Sequence, residues 1–204
     1  MQTVIVALAA YLIGSTPFAV IVSRAMGLED PRKYGSGNPG ATNVLRSGSK
    51  KAAILTLIGD ALKGTVAVML ARALAAPLGL GENDAAVAGI FAFLGHVFSV
   101  FLRFQGGKGV ATAAGVLLAM SLPAGGLTLA TWLLVAFTTR YSSAAALAAA
   151  LAAPVFTYWW LGNLSWTAAT IMMSAVLIWR HKENISRLVA GKEDRIGGKK
   201  KDAA

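Results

Sequence analysis

Cysteine is absent from the 204-residue chain, which removes disulfides, thiol nucleophiles and thiolate metal sites and leaves the redox compartment open. Charge is scarce as well, 14% of residues against 56% hydrophobic, and the apolar runs recur too often for a soluble domain. Acids are scarcest: 9 Asp and Glu face 19 Lys and Arg, a net charge of +10. Hardly any of these bases interrupt the apolar runs, so the excess belongs to loops and tail. That pattern suits anionic headgroups and anionic substrates, and with no soluble basic domain it does not point to nucleic acid. No basic stretch precedes residues 3–22 and no convincing small-residue cleavage site follows, so this run is expected to stay as a helix, kinked at Pro17.

What is there is a series of apolar runs near residues 3–22, 52–76, 85–102, 110–122, 124–138, 143–160 and 165–179. They predict an all-α, polytopic integral membrane protein with seven transmembrane helices. Arg24, Arg32, Lys33, Arg46, Lys50 and Lys51 fill the first loop, Arg103 and Lys108 the third and Arg140 the fifth, while the even loops carry no Lys or Arg. By the positive-inside rule the odd loops and the C-terminus are cytoplasmic and the N-terminus lies outside. Residues 110–137 must then cross twice, although a full span takes about 20 helical residues. Two short helices are expected, with local thinning or a re-entrant turn around Pro123. Residues 1–190 read as a single membrane domain and 191–204 as a basic, disordered tail. No fixed-period repeat is evident.

The stretch GHVFSVFLRFQGGKGVAT at 95–112 carries an apolar segment into three glycines around one lysine. Gly106, Gly107 and Gly109 are expected to permit positive φ and expose backbone N–H groups, with Lys108 adding a mobile cation, an arrangement suited to phosphate. The alternative is an interfacial loop whose Arg103 and Lys108 answer lipid headgroups. A nucleoside-triphosphate P-loop is set aside, because Gly109 stands where GxxxxGK[ST] requires a hydroxyl, and no metal site is evident. A second loop, GSGNPGATNVLR at 35–46, offers N–H groups, hydroxyls, amides and a guanidinium fork; a plain turn-rich loop is its alternative. Arg140-Tyr-Ser-Ser and the segment after Trp179 add donors on the same predicted side.

Inside the apolar runs, Asp60 and Lys63 share a helix face and can pair, either bracing helices or touching substrate. His96 reads as a packing histidine or a base. Ala144 to Ala153 suggest close helix packing, and Trp132, Trp159, Trp160, Trp166 and Trp179 interfacial anchors.

Three long motifs in order, GSGNPGATNVLR, GHVFSVFLRFQGGKGVAT and RHKENISRLVAGKE at 180–193, with Gly59-Asp60 and Lys63-Gly64 in support, resemble the acyl-phosphate-dependent glycerol-3-phosphate acyltransferases of bacteria, the PlsY family. The match spans the membrane core. This resemblance implies an inner-membrane, multi-pass enzyme with its site facing the cytoplasm. It would move an acyl chain from acyl phosphate to the 1-position of glycerol 3-phosphate, giving lysophosphatidic acid and inorganic phosphate for phospholipid synthesis, with no cofactor. Carried over residue by residue, it places Ser36, Arg46, Lys108, His181 and Asn184 around glycerol 3-phosphate. Asn38, Gly40, Thr42, Asn43 and the serine after Tyr141, Ser142 or preferably Ser143, would line the acyl-phosphate side. Of these, His181, Asn184, Ser143 and Asn43 are the catalytic candidates, and Ser36, Asn38, Gly40, Thr42, Arg46 and Lys108, with Gly106 and Gly107 of the Gly-rich loop, the substrate-binding ones. Gln105 stands where lysine is expected in many relatives, which weakens one basic contact.

The chemistry matches these residues. Acyl phosphate is an activated anhydride, so no covalent nucleophile is required. Juxtaposing two reactants removes roughly 7–11 kcal/mol of barrier, and an oxyanion donor adds about 3–4. Either His181 or a phosphate oxygen of the substrate takes the hydroxyl proton. The competing class is a transporter or exchanger of phosphorylated small molecules. That class would place its polar ligands near the midplane, where only Asp60, Lys63 and His96 lie; a lipid-binding scaffold is a more distant alternative. Oligomeric state and acyl-chain preference are not legible.

Overall fold

The computed structural model describes residues 1–197, and within them the chain is helical with no strand. In chain order the helices are α1 (Gln2–Ser15), α2 (Phe18–Ala25), α3 (Ala41–Val44), α4 (Lys50–Ala73), α5 (Ala75–Leu78), α6 (Glu82–Val97), α7 (Val110–Met120), α8 (Leu122–Thr139), α9 (Ser142–Leu161), α10 (Leu164–Arg180) and α11 (Lys182–Val189). Five helical stretches, two of them interrupted, are long and apolar enough to cross a bilayer: Gln2–Ala25, Lys50–Ala73, Glu82–Leu102, Leu122–Thr139 and Ser142–Leu161. Val110–Met120 and Leu164–Arg180 are shorter apolar helices.

The bundle is built with small residues inside and large ones outside. Its buried cluster is dominated by alanines such as Ala88, Ala92, Ala113, Ala124 and Ala153, whereas Leu8, Leu134, Phe137, Leu151 and Trp159 are exposed. In lipid, association rests on close backbone approach and interhelical hydrogen bonds, because exposed leucine loses nothing to hydrocarbon. Thus α1 lies on α6 and α4 on α7. A Cβ added at Gly14 would collide with the Ala92 backbone, and one at Gly115 with the carbonyl of Ala61. Hydroxyls reinforce the second contact: Thr112 Oγ1 donates to Asp60 O at 2.8 Å and Thr65 Oγ1 to Gly115 O at 3.0 Å.

The first run is interrupted at Thr16–Pro17, where the kink was expected, and the freed carbonyl of Thr16 accepts from Lys63 Nζ at 2.9 Å. Two expectations need correction. The break between the two short helices falls at Ser121, which is extended and caps α8 through its hydroxyl. Pro123 sits inside the first turn of α8, where its missing N–H costs nothing. Trp166 is no interfacial anchor: it is 1% exposed, donates to Glu82 Oε2 at 2.9 Å and lies beneath the guanidinium of Arg72. The other tryptophans are partly or largely exposed.

Residues 191–197, expected to open the disordered tail, return onto the helix ends and are hydrogen-bonded there. The remainder of that predicted tail, 198–204, lies outside the described residues.

Candidate active site

The polar clusters converge at one end of the bundle. The first loop is shaped by Asn43, which is 2% exposed. Its Oδ1 accepts from Ser36 N at 2.9 Å, and its Nδ2 donates to Pro31 O at 2.6 Å and Tyr34 O at 3.1 Å. With its side chain engaged by loop backbone, Asn43 holds the loop's shape and has little capacity left for a ligand. Ser36 is exposed and Asn38 half-buried. Gly40 is the extended residue that starts α3, and Thr42 Oγ1 reaches Ser142 Oγ across 3.3 Å. Arg46, in the 3-10 turn Leu45–Ser47, turns its guanidinium to the chain's far end, where Nη2 meets Asp194 Oδ2 at 2.9 Å.

The Gly-rich third loop differs from expectation in how it uses its glycines. Gly106 N donates to Val97 O and Gly107 N to His96 O, both at 3.1 Å, so these two N–H groups close the end of α6 and are not free for an anion. The glycines are required by crowding. A Cβ at Gly106 would strike the His96 carbonyl, and one at Gly107 the His96 ring. Only Gly109 has positive φ, at 85°. Donors for an anion remain on Lys108 and on the first turn of α7, whose N–H groups lack intrahelical partners. Arg103 and Phe104, before the glycines, both adopt left-handed backbone, a strained choice for such residues.

Lys108 Nζ donates to Asn184 Oδ1. Asn184 Nδ2 donates to Glu193 Oε1 at 2.6 Å, and Ser143 Oγ donates to that same oxygen at 2.6 Å. Arg187 Nε holds the other oxygen at 2.7 Å. One carboxylate therefore ties the Gly-rich loop, the start of α9 and α11 into a continuous network. Burial opposes charge on Glu193, but hydrogen bonds from Ser143, Asn184 and Arg187 outweigh it and hold the carboxyl below the usual glutamate value. Burial first, then the neighbouring Arg187 charge, lower Lys108 from the ordinary lysine value. An anion bound beside it would reverse that.

His181 caps the end of α10 and is 3% exposed. Its Nδ1 lies 2.8 Å from Leu177 O; a carbonyl only accepts, so Nδ1 carries the proton and Nε2 keeps its lone pair. Burial pushes the ring down to about 4, so it is neutral at pH 7. Arg180 Nη2 donates to Gly106 O at 3.1 Å, linking α10 to the Gly-rich loop.

Of the residues singled out from the sequence, Lys108, Asn184 and Ser143 thus meet directly, with Gly106 beside them through Arg180. Thr42 meets Ser142, and Arg46 joins from the first loop through the chain end. Among the described residues no hydrogen bond links Ser36, Asn38 or Gly40 to the Lys108 network. Glu193, Arg187 and Arg180 were not singled out, although all three stand within the third motif. The motif holds two acids, Glu183 and Glu193, among its bases, and composition does not say which of them organises the site.

Comparison with known proteins gives the family of the chain. The family described as Glycerol-3-phosphate acyltransferase matches residues 4–191. A glycerol-3-phosphate acyltransferase of Paraburkholderia phytofirmans is 62% identical, with 100% of this chain and 96% of the relative covered; one of Ralstonia pickettii is also 62% identical, covering 100% and 98%. Among solved structures, the glycerol 3-phosphate form of PlsY (YgiH), an integral membrane glycerol 3-phosphate acyltransferase, aligns with a TM-score of 0.88 at 35% identity, over 97% of this chain and 96% of the other. Its lysophosphatidic acid form aligns at 0.86 and 34%, over 96% and 95%. The chain belongs to the glycerol-3-phosphate acyltransferase family.

Proposed function

We propose that this membrane protein transfers a fatty acyl chain from acyl phosphate to the 1-hydroxyl of glycerol 3-phosphate, releasing lysophosphatidic acid and inorganic phosphate. The observation that carries the reading is the continuous Lys108–Asn184–Glu193–Ser143 network, with Arg46 and His181 at the same end of the bundle. It supplies two cations of different geometry for two phosphate groups. Arg46 offers a planar fork and Lys108 a point charge, and they lie on separate loops.

The hydroxyl oxygen attacks the acyl carbonyl carbon, the new ester C–O bond forms and the C–O bond to phosphate breaks. His181, neutral with its Nε2 lone pair free, is suited to accept a hydrogen bond from the attacking hydroxyl and orient it. Its low proton affinity makes it a weak base at neutral pH. A phosphate oxygen, with a second pKa near 6, is the better acceptor, and the proton leaves on inorganic phosphate. Lys108 and Asn184 stabilise charge on the phosphate and carbonyl oxygens. Ser36, Asn38, Gly40, Thr42 and Gly107 form the rim, and Asn43 positions the first loop.

The same reading has seven crossings, the N-terminus outside and the site facing the cytoplasm of a bacterial inner membrane, within one domain of residues 1–190. Support comes from the five long and two shorter apolar helices alternating with basic and bare loops.

Purified protein in detergent, given acyl phosphate and glycerol 3-phosphate, should release inorganic phosphate and form lysophosphatidic acid, with acyl-CoA the poorer donor. Arg46→Lys should lower activity, and Lys108→Met should lower kcat/KM roughly 10²- to 10³-fold. Lys108→Arg should retain more than Lys108→Met. Flux of glycerol 3-phosphate into proteoliposomes without acylation would overturn the enzyme reading in favour of transport. Wild-type turnover in all three variants would reduce these cations to lipid-facing charges.

A further inference from the structure

We infer that Asp194 is an internal counter-ion, a carboxylate that pairs with the Arg46 guanidinium and is displaced by the phosphate of the incoming substrate. This rests on the reading of Arg46 as a phosphate clamp and adds how access to that clamp is regulated. The segment around Asp194 is held on both sides. Upstream, Glu193 is anchored by Ser143, Asn184 and Arg187. Downstream, Ile196 N donates to Arg140 O at 2.7 Å and Arg140 Nη2 donates back to Ile196 O at 3.0 Å, while the Arg195 guanidinium lies 5.5 Å from the centre of the Tyr141 ring. Between these fixed points Asp194 reaches the first loop through its ion pair with Arg46.

The two neighbouring carboxylates are held differently. The Glu193 side chain is 8% exposed and takes charge-assisted bonds from three side chains, as a structural member of the network does. The Asp194 side chain is 73% exposed and, among the described residues, makes one ion pair, as a replaceable occupant does. An exposed carboxylate–guanidinium pair contributes little. A phosphate brings more charge and a third oxygen to the same fork, so exchange of one anion for the other is favourable without disturbing Glu193.

The test is steady-state kinetics on the full-length protein. Asp194→Asn should lower KM for glycerol 3-phosphate roughly two- to five-fold, the scale of an exposed ion pair, with kcat unchanged. Ile196→Pro, which removes the N–H given to Arg140 and loosens the same segment, should shift KM in the same direction. Glu29→Gln, an exposed acid of the first loop outside the site, changes net charge equally and should leave KM where it is. Titration calorimetry with inorganic phosphate reads the competition without turnover, and Asp194→Asn should bind it more tightly by a similar factor. Unchanged or raised KM and phosphate affinity no better than wild type in Asp194→Asn would overturn the inference, as would an equal shift from Glu29→Gln. An inactive wild-type protein whose phosphate binding still tightens in Asp194→Asn would leave the counter-ion standing and overturn the acyltransferase reading.

Discussion

Two clusters of opposite charges lie within one small bundle, and they are completed in different ways. In the apolar interior, Lys63 Nζ meets Asp60 Oδ1 at 2.8 Å and the carbonyl of Thr16 at 2.9 Å, with His96 Nδ1 3.4 Å from the same carboxylate oxygen. Asp60 and Lys63 are 3–4% exposed and every partner comes from a membrane helix or its break. At the helix ends, by contrast, Lys108, Arg46, Asn184 and Ser143 are gathered by carboxylates from the chain's last described turn. The first cluster is closed by the fold itself. The second is closed by a buried carboxylate, Glu193, and by an exposed one, Asp194, that water or a ligand can reach. The difference separates bracing from binding more sharply than residue type does, since both contain an acid, a cation and a histidine nearby.

The two clusters nonetheless touch. The His96 ring lies directly beneath Gly107, and Ser15, Asp60, Lys63, Ser99 and Gly107 line one small cavity with it. The interior pair therefore sets the floor on which the Gly-rich loop rests. Breaking it should produce the largest effect. Lys63→Met or Asp60→Asn leaves the remaining member uncompensated in the bundle, and removal of one partner of a buried pair costs about 3–5 kcal/mol. Each single variant should lower the detergent-extracted yield and the thermal midpoint, while the double variant recovers part of the loss. Single variants with wild-type midpoints would mean that the pair is not what holds α4 to the α1–α2 break.

The next effect lies at the histidine of the second cluster. His181 is held down to about 4 from an ordinary value of 6.5, so the folded protein resists protonation where the unfolded chain accepts it. The unfolded state binds more protons between about pH 6.5 and 4, and stability rises with pH across that window. This contribution is complete above the unfolded value and falls away as pH drops towards 4, by about 3 kcal/mol in total. Unfolding midpoints in detergent should fall more steeply from pH 6.5 to 4 for the wild type than for His181→Gln. Parallel slopes would mean that the ring titrates as it does in solvent.

How much of this was legible in the sequence follows from the same contrast. Long apolar runs announce helices because a bilayer leaves the backbone no other way to satisfy its hydrogen bonds, so the helical runs and the Asp60–Lys63 spacing could be read directly. Helix breaks were legible only to within a turn. Pro17 announced the break at Thr16, but Ser121 starts α8 through local capping, which apolarity does not report. In the site, Lys108, Asn184 and Ser143 were singled out together and do meet. The use of the Gly106 and Gly107 N–H groups was misread, because glycine signals conformational freedom and close approach equally well, and only the position of His96 decides between them. The Glu193 and Asp194 contacts were invisible: each joins residues 50 or more positions apart, or folds a short tail back on itself, and a basic tail composition argued for disorder.

The smallest predicted effect is the one that separates two adjacent serines. Ser143 is buried and donates to Glu193 Oε1 at 2.6 Å. Ser142 is only partly covered and lies 3.3 Å from the hydroxyl of exposed Thr42. A hydrogen bond to a charged group contributes about 1.5–3 kcal/mol, whereas a neutral contact at an accessible position is worth under about 0.5. Ser143→Ala should therefore loosen Glu193, and through it the Asn184 amide that faces Lys108. Because Asn184 and Lys108 are read as touching substrate and Ser143 acts on them through Glu193, the loss should fall mainly on kcat/KM, roughly tenfold, with a modest drop in thermal midpoint. Ser142→Ala should change kcat/KM by about twofold or less, the scale of such a weak contact. Kinetics on the two variants side by side decides the matter. Equal losses would move the active-site hydroxyl onto the Thr42–Ser142 contact, and a larger loss from Ser142→Ala would make the Ser143–Glu193 bond purely structural and break the distinction between the closed and the open cluster at its weakest point.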